Sequence, residues 1–263
     1  MSEPNVSAAV GGVRVELEAD VAVVTIDRPD VRNAIGFATV DQLEGALDHI
    51  RESSAAVLVL RGGGDRAFVS GGDLRELAGI RTHEDAVGMA SRVRRALDRV
   101  AAFPVPVIAA LNGHALGGGA EVAIAADIRI AADDVKIGLN QVSLGIMPAW
   151  GGAERLAQLV GRSQALLAVA TGEVYDAATA QRMGLIDVVV PREAFDDGWR
   201  TLARRMATTA PGTTRAVKSV IDAAVPAVHP ELEPAATDAF ARLWAADAHW
   251  AAVEVMEERR RSG

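Results

Sequence analysis

Pro106-Val107-Ile108-Ala109-Ala110-Leu111-Asn112-Gly113-His114-Ala115-Leu116-Gly117-Gly118-Gly119-Ala120-Glu121 is the stretch on which the fold turns. Val107 to Leu111 is an unbroken apolar run opened by a proline, the pattern of a short buried strand. It runs into a glycine-rich turn and then a helix expected over Ala120 to Ala126. A helix N-terminus presents unpaired N–H groups and partial positive charge, and glycine lets that backbone come close to a ligand. A second turn of the same kind is Ala67-Phe68-Val69-Ser70-Gly71-Gly72-Asp73-Leu74, at another strand-to-helix transition. Two such turns, brought together, make a two-donor oxyanion hole for a thioester carbonyl. Neither is a dinucleotide or P-loop fingerprint, because G-x-G-x-x-G and G-K-[ST] are absent. Gly62-Gly63-Gly64 reads as a sharp turn and no more.

Working outward, Val13, Val15 and Leu17 alternate with polar residues and Val21 to Ile26 is a compact, mostly apolar run, which predicts a β-hairpin. Val40, Leu43, Leu47 and Ile50 recur at helical spacing and predict a helix over about 37–52. Val57 to Leu60 reads as a buried strand, residues 84–102 as a helix, and Ile128–Ala131 and Val135–Ile137 as further strands. From Gly152 the pattern is mostly helical, interrupted by a strand at Val188 to Val190. Strands alternating with helices imply a largely parallel sheet followed by a helical segment. Phe240, Leu243, Trp244 and Trp250 form an apolar set that exceeds what one subunit is expected to bury, which points to oligomerisation.

Composition narrows the function. The 263 residues carry a formal charge of −8 with a pI near 5.2, which argues against nucleic acid or an anionic membrane as partner. The basic side chains are arginines except Lys136 and Lys218, and arginine suits phosphate groups. The absence of cysteine excludes disulfides, thiolate metal sites and a cysteine nucleophile. No apolar run approaches the roughly 18 residues of a spanning helix, and the N-terminal residues read as lacking a signal peptide. Asn5-Val6-Ser7 matches a glycosylation acceptor by chance.

Taken in order, Arg28-Pro-Asp-Val-Arg-Asn-Ala-Ile35, Ala67 to Leu74, Pro106 to Glu121, Leu144-Gly-Ile-Met-Pro-Ala-Trp-Gly-Gly152, Thr171-Gly172 and Met183-Gly-Leu-Ile186 resemble the enoyl-CoA hydratase/isomerase (crotonase) family over nearly the whole chain. The resemblance implies an α/β crotonase-like (ClpP/crotonase) spiral core of ββα units over 13–205. A flexible stretch over 1–12 would precede it, and a helical trimerisation segment over 206–263 would follow. It implies an acyl-CoA substrate, no cofactor beyond that coenzyme A, no metal, a homotrimer or dimer of trimers, a cytoplasmic location and a place in fatty acid metabolism.

The resemblance also implies site residues. Gly72 and Gly118 would donate the oxyanion-hole N–H groups. Arg32, Ala34, Val69, Ser70, Gly71, Asp73 and Leu74 would line the coenzyme A site, with Trp150 on the acyl side. Arg32 reads equally as a phosphate contact or a solvated loop arginine, and Asp73 reads first as a helix cap. Hydratases of the family use two carboxylates: the first corresponds to Glu121, and twenty residues on, position 141 holds Gln141. An amide orients partners by hydrogen bonds but takes no proton. Hydration of an enoyl-CoA by Glu121, with Gln141 holding the water, is therefore the leading expectation. Alkylmalonyl-CoA decarboxylation comes second, double-bond isomerisation third, and a coenzyme A-binding paralogue without activity fourth. His114 reads as structural.

Overall fold

The computed structural model describes residues 12–210, 212–225 and 232–262. The expectation for residues 1–12 falls outside these, save for Gly12. Val13–Glu18 (β1) and Val21–Ile26 (β2) pair antiparallel as the expected hairpin, turning at Ala19 with a left-handed φ of 52°. Phe37–Arg51 (α1) follows, then Val57–Gly62 (β3), Ala67–Val69 (β4), the single-turn helix Leu74–Leu77 (α2) and His83–Ala101 (α3). Next come Val107–Leu111 (β5), His114–Leu116 (β6), Gly118–Ala125 (α4), Ile128–Ala132 (β7) and Lys136–Gly138 (β8). The helices Gly152–Val160 (α5) and Arg162–Thr171 (α6) precede Tyr175–Asp176 (β9), Ala177–Met183 (α7) and Val188–Val190 (β10). Phe195–Ala207 (α8), Thr213–Ala224 (α9), Leu232–Trp244 (α10) and Asp247–Ser262 (α11) complete the chain. The helix α8 spans Phe195–Ala207 and so crosses residue 205, the expected end of the core.

The single sheet read from the sequence is in fact two. A six-stranded sheet has the order β1-β2-β3-β5-β7-β10, and a four-stranded sheet the order β4-β6-β8-β9. The chain visits them alternately: β3 then β4, β5 then β6, β7 then β8. Each pair is one turn of a spiral that ends in helical structure, which is the ββα repeat the resemblance implied. The pairings β3–β5, β5–β7, β4–β6 and β6–β8 are all parallel. Both faces of such a sheet are covered, which is why β3 and β5 read as continuous apolar runs rather than alternating ones.

The C-terminal aromatic residues differ from expectation. Phe240 and Trp244 are each 3% exposed, buried within their own chain, where α10 packs on α3. Trp244 stacks against Phe240, His249 and Trp250, and its Nε1 donates to the Ile80 carbonyl at 2.9 Å. The α3 helix supplies the apolar surface that the sequence argument had assigned to another subunit. Leu243 of that set stays exposed, and further exposed apolar side chains lie on α6 (Leu166, Leu167) and α9 (Val217, Val220, Ile221). Among the described residues no helix is long and apolar enough to cross a membrane.

Candidate active site

Parallel strands lie about 4.8 Å apart, so residues just beyond the ends of adjacent strands become neighbours. The strands β4, β6 and β8 sit side by side, and the segments leaving them carry Gly72, Gly118 and Gln141 respectively. The spiral thus brings together three positions that the sequence separates. The loop 28–36 closes over the first of them. Ile35 N–H donates to the Gly71 carbonyl at 2.8 Å, and Asp73 N–H donates to the Ile35 carbonyl at 2.9 Å. Arg28 staples this loop, donating to the Ala34 carbonyl at 2.6 Å and to Asp73 Oδ2 at 2.9 Å.

Close backbone approach fixes the glycines. A methyl group on Gly119 would lie 1.7 Å from the Val69 carbonyl oxygen, so only glycine lets α4 pack on β4. A methyl on Gly118 would fall 2.2 Å from Trp150 Cζ3, and one on Gly71 would touch Gly118 N at 3.4 Å. The two turns therefore meet over the Trp150 ring, which also reaches Gly72. Neither Gly72 N–H nor Gly118 N–H donates to another backbone group among the described residues. As the first residue of α4, Gly118 has no acceptor within its own helix. Two N–H groups without a backbone acceptor, on turns that meet, are of the kind that suits a carbonyl oxygen gaining charge during reaction.

Beside them lies Glu121, 2% exposed in the first turns of α4. Its Oε1 accepts from Trp150 N–H at 2.8 Å and Gly152 N–H at 3.0 Å, at the entry to α5. Glycine is required there too, since a methyl on Gly152 would come within 2.4 Å of Glu121 Cγ. The second oxygen, Oε2, accepts from Gln141 Nε2 at 2.9 Å. Burial pushes the Glu121 carboxyl up to about 7, against the opposing pull of the Trp150 and Gly152 N–H groups. Gln141 is 7% exposed, and its own Oε1 is buried without a hydrogen-bond partner. A carboxyl raised to near neutrality and an acceptor oxygen with nothing to accept belong to two residues that line the same space.

That space is a cleft of about 590 Å³. Arg32, Ser70, Gly71, Gly72, Leu74, Gly118, Glu121, Gln141 and Trp150 all line it. Three residues anticipated at the coenzyme A site do not. Ala34 and Val69 are buried in the core, because strand and loop pairing turns them inward. Asp73 instead caps α2 through Arg75 N–H and pairs with Arg28. His114 lines the cleft, with its Nδ1 accepting from Lys136 N–H at 3.2 Å. Arg66, at the exposed mouth near Arg32, was missed, although the preference of arginine for phosphate could have flagged it. The cleft also has an apolar lining, from Leu77, Met89, Met147, Phe240, Trp244 and Met256. Its parts from α10 and α11 left no local signal in the sequence. Asn33 and Asn112 were missed as well. Asn33 bonds to Gly63 and Ala67 carbonyls, Asn112 to Gly62 N–H and the Gly64 carbonyl, and together they pin the glycine turn to β4.

Known proteins bear on this geometry. Residues 16–262 match the enoyl-CoA hydratase/isomerase family. The chain is 35% identical to a short-chain-enoyl-CoA hydratase of Clostridium acetobutylicum over 216 residues, 81% of this chain and 82% of that protein. It is also 35% identical to a 2,3-dehydroadipyl-CoA hydratase of Escherichia coli over 76% of this chain and 78% of that protein. In structure it is similar to an enoyl-CoA hydratase from Bacillus anthracis, with a TM-score of 0.77 and 30% identity over 97% of this chain and 96% of that one. With a match that spans almost its full length and the α/β spiral described above, this chain belongs to the enoyl-CoA hydratase/isomerase family.

Proposed function

We propose that this protein adds water across the C2–C3 double bond of a 2-enoyl-CoA, with Glu121 as its only acid–base group. The observation that carries the reading is the seat of Glu121. One oxygen is held by two backbone N–H groups, while the other stands at the cleft beside Gln141, and the carboxyl titrates near 7. In the proposed reaction Glu121 Oε2 takes a proton from water as the water oxygen bonds to C3. The π electrons pass to the thioester oxygen, held by Gly72 and Gly118 N–H groups. Glu121 then returns its proton to C2 as the enolate collapses. Gln141 Oε1 accepts a hydrogen bond from the remaining water proton, which orients the nucleophile without titrating.

At the mouth, Arg32 and Arg66 would meet the coenzyme A phosphates, beside Ser70, Gly71 and Leu74. The apolar lining would take the acyl chain. Its methionines come from three separate segments and adapt to irregular apolar shapes. The exposed apolar side chains of α6 and α9 fit the expectation of a trimer or a dimer of trimers.

Incubation with a panel of thioesters, with products identified by mass, tests the reading. Hydration is expected for crotonyl-CoA and for longer apolar enoyl chains, with kcat/KM rising roughly fourfold per buried CH2 until the pocket is full. Against 2-hexenoyl-CoA, 2,3-dehydroadipyl-CoA should be worse by about 10²-fold or more, since the apolar lining offers its carboxylate no donor or cation. Carbon dioxide released from an alkylmalonyl-CoA, without hydration of any enoyl-CoA, would replace this reading with the decarboxylase one. Gln141 keeps that second reading open, because decarboxylation needs no second acid. Against it stands the Glu121 carboxylate, which would repel a malonyl carboxylate at the same place.

The variant Gln141→Glu separates the two. It sets two carboxyl groups about where the 2.9 Å amide contact now stands, so they must share a proton and titrate as a pair. Hydration of crotonyl-CoA is expected to rise and the ionisation that governs it to move upward in pH, while any decarboxylation falls. No gain in hydration with decarboxylation unchanged would remove residue 141 from the reacting centre.

A further inference from the structure

We infer that His249 is a positioning residue for the proposed hydration: its Nδ1–H grips the Leu144 carbonyl and so fixes the turn that carries Gln141. The inference rests on the hydratase reading, but it stands on contacts of its own. Gln141 to Leu144 form a single 3-10 turn, ended by Gly145 with a left-handed φ of 69°. The turn is held from within by short-range bonds, Gly145 N–H to the Val142 carbonyl and Ile146 N–H to the Gln141 carbonyl. Val142 and Ser143 are exposed, and Val142 meets the end of α6, where a methyl on Gly172 would lie 2.7 Å from its Cγ1. The other side rests on α11. A methyl on Gly145 would lie 3.6 Å from His249 Cα, so the two backbones nearly touch, and His249 Nδ1 lies 2.7 Å from the Leu144 oxygen.

A carbonyl oxygen only accepts, so this contact requires the proton on Nδ1. The ring is fully buried between Trp244 and Trp250, at centroid distances of 4.6 and 4.7 Å. Its Nε2 finds no partner, which leaves the lone pair there and one available donor in the ring. Burial lowers the pKa of His249 below the ordinary histidine value, with Arg81 acting the same way and the Leu144 carbonyl opposing, which favours the neutral ring. Gln141 has one side-chain hydrogen bond, to Glu121, so its place depends on the backbone of the turn. Among the described residues, Leu144 is the one in that turn whose backbone bonds to a distant element. A histidine that never touches substrate thereby sets where the amide beside Glu121 stands.

Comparing His249→Asn, His249→Gln and His249→Leu tests this. Asparagine carries its amide nitrogen about where Nδ1 stands, while glutamine is closer in size to histidine but sends its nitrogen to the Nε2 side. A packing role ranks glutamine above asparagine; the grip ranks asparagine above glutamine. With crotonyl-CoA, His249→Asn is expected within about threefold of wild-type kcat. The Gln and Leu variants should lose about tenfold or more in kcat with KM little changed, the scale for a displaced catalytic contact. Amide exchange of the segment 141–147 should stay slow in the Asn variant and quicken in the other two. Glutamine equal to or better than asparagine in both measurements overturns the inference. Exchange is read without turnover, so a wild type that hydrates nothing would defeat the hydratase reading and leave this test intact.

Discussion

Glu121→Gln is expected to keep the fold and coenzyme A binding while lowering hydration turnover by about 10²- to 10⁴-fold, the range for a lost acid–base group. The substitution is nearly isosteric. Its Oε1 still accepts from Trp150 and Gly152 N–H, and its Nε2 can donate to the unpartnered Oε1 of Gln141 once that amide turns over. The same change should stabilise the protein. The folded carboxyl titrates near 7 rather than at its ordinary value of 4.5, so its favourable contribution is complete below pH 4.5 and is lost as pH rises through 7. By that linkage the variant gains on wild type between those limits, up to roughly 3 kcal/mol above pH 7. Denaturant unfolding at pH 5 and pH 8 checks the sign. Near-normal turnover in the variant would move the chemistry off Glu121.

Gly118→Ala should have the next largest effect, about 10²- to 10³-fold in kcat, the usual loss for one oxyanion-hole donor. The added methyl meets the rigid Trp150 ring at 2.2 Å, so either the ring or the start of α4 must move, and the donor pair separates. Gly72→Ala is a useful contrast. Its methyl meets Leu77 Cδ1 at 2.7 Å, the end of a flexible side chain, so a smaller loss is expected. Gly45→Ala, with no heavy atom within 4 Å of the new methyl, serves as the control. Equal activities for the Gly118 and Gly45 variants would mean that Gly118 does not face the thioester.

What the sequence revealed follows from where the physics is local. The strands β2, β3 and β5 each carry a run of four or five apolar residues, and α1 and α3 show helical spacing, so each was visible. The strands β4, β6 and β9 have two or three residues, too few to show a period, and the second sheet went unseen with them. The spacing from Glu121 to Gln141 was legible, and the structure brings the two side chains into contact. The Glu121 seat was half legible: Gly151-Gly152 stood out, but not that Gly152 leaves room for a carboxylate. The amides of Asn33 and Asn112 act on glycines distant in sequence, which no window of residues exposes. The aromatic residues of α10 misled because their apolar character is evident in sequence and the partner surface on α3 is not.

The central claim is that one titrating group runs the reaction, and the pH dependence of kcat/KM for crotonyl-CoA hydration tests it most directly. This quantity reports ionisations of the free enzyme. Glu121 must begin as the carboxylate, and Gln141 cannot titrate. Activity is therefore expected to rise with pH through a single ionisation near 7 and then level off, with no falling limb from a second active-site acid. In Glu121→Gln the residual rate should lack that rise. A bell-shaped profile in the wild type, or an unchanged rise near 7 in the Glu121 variant, would contradict the account.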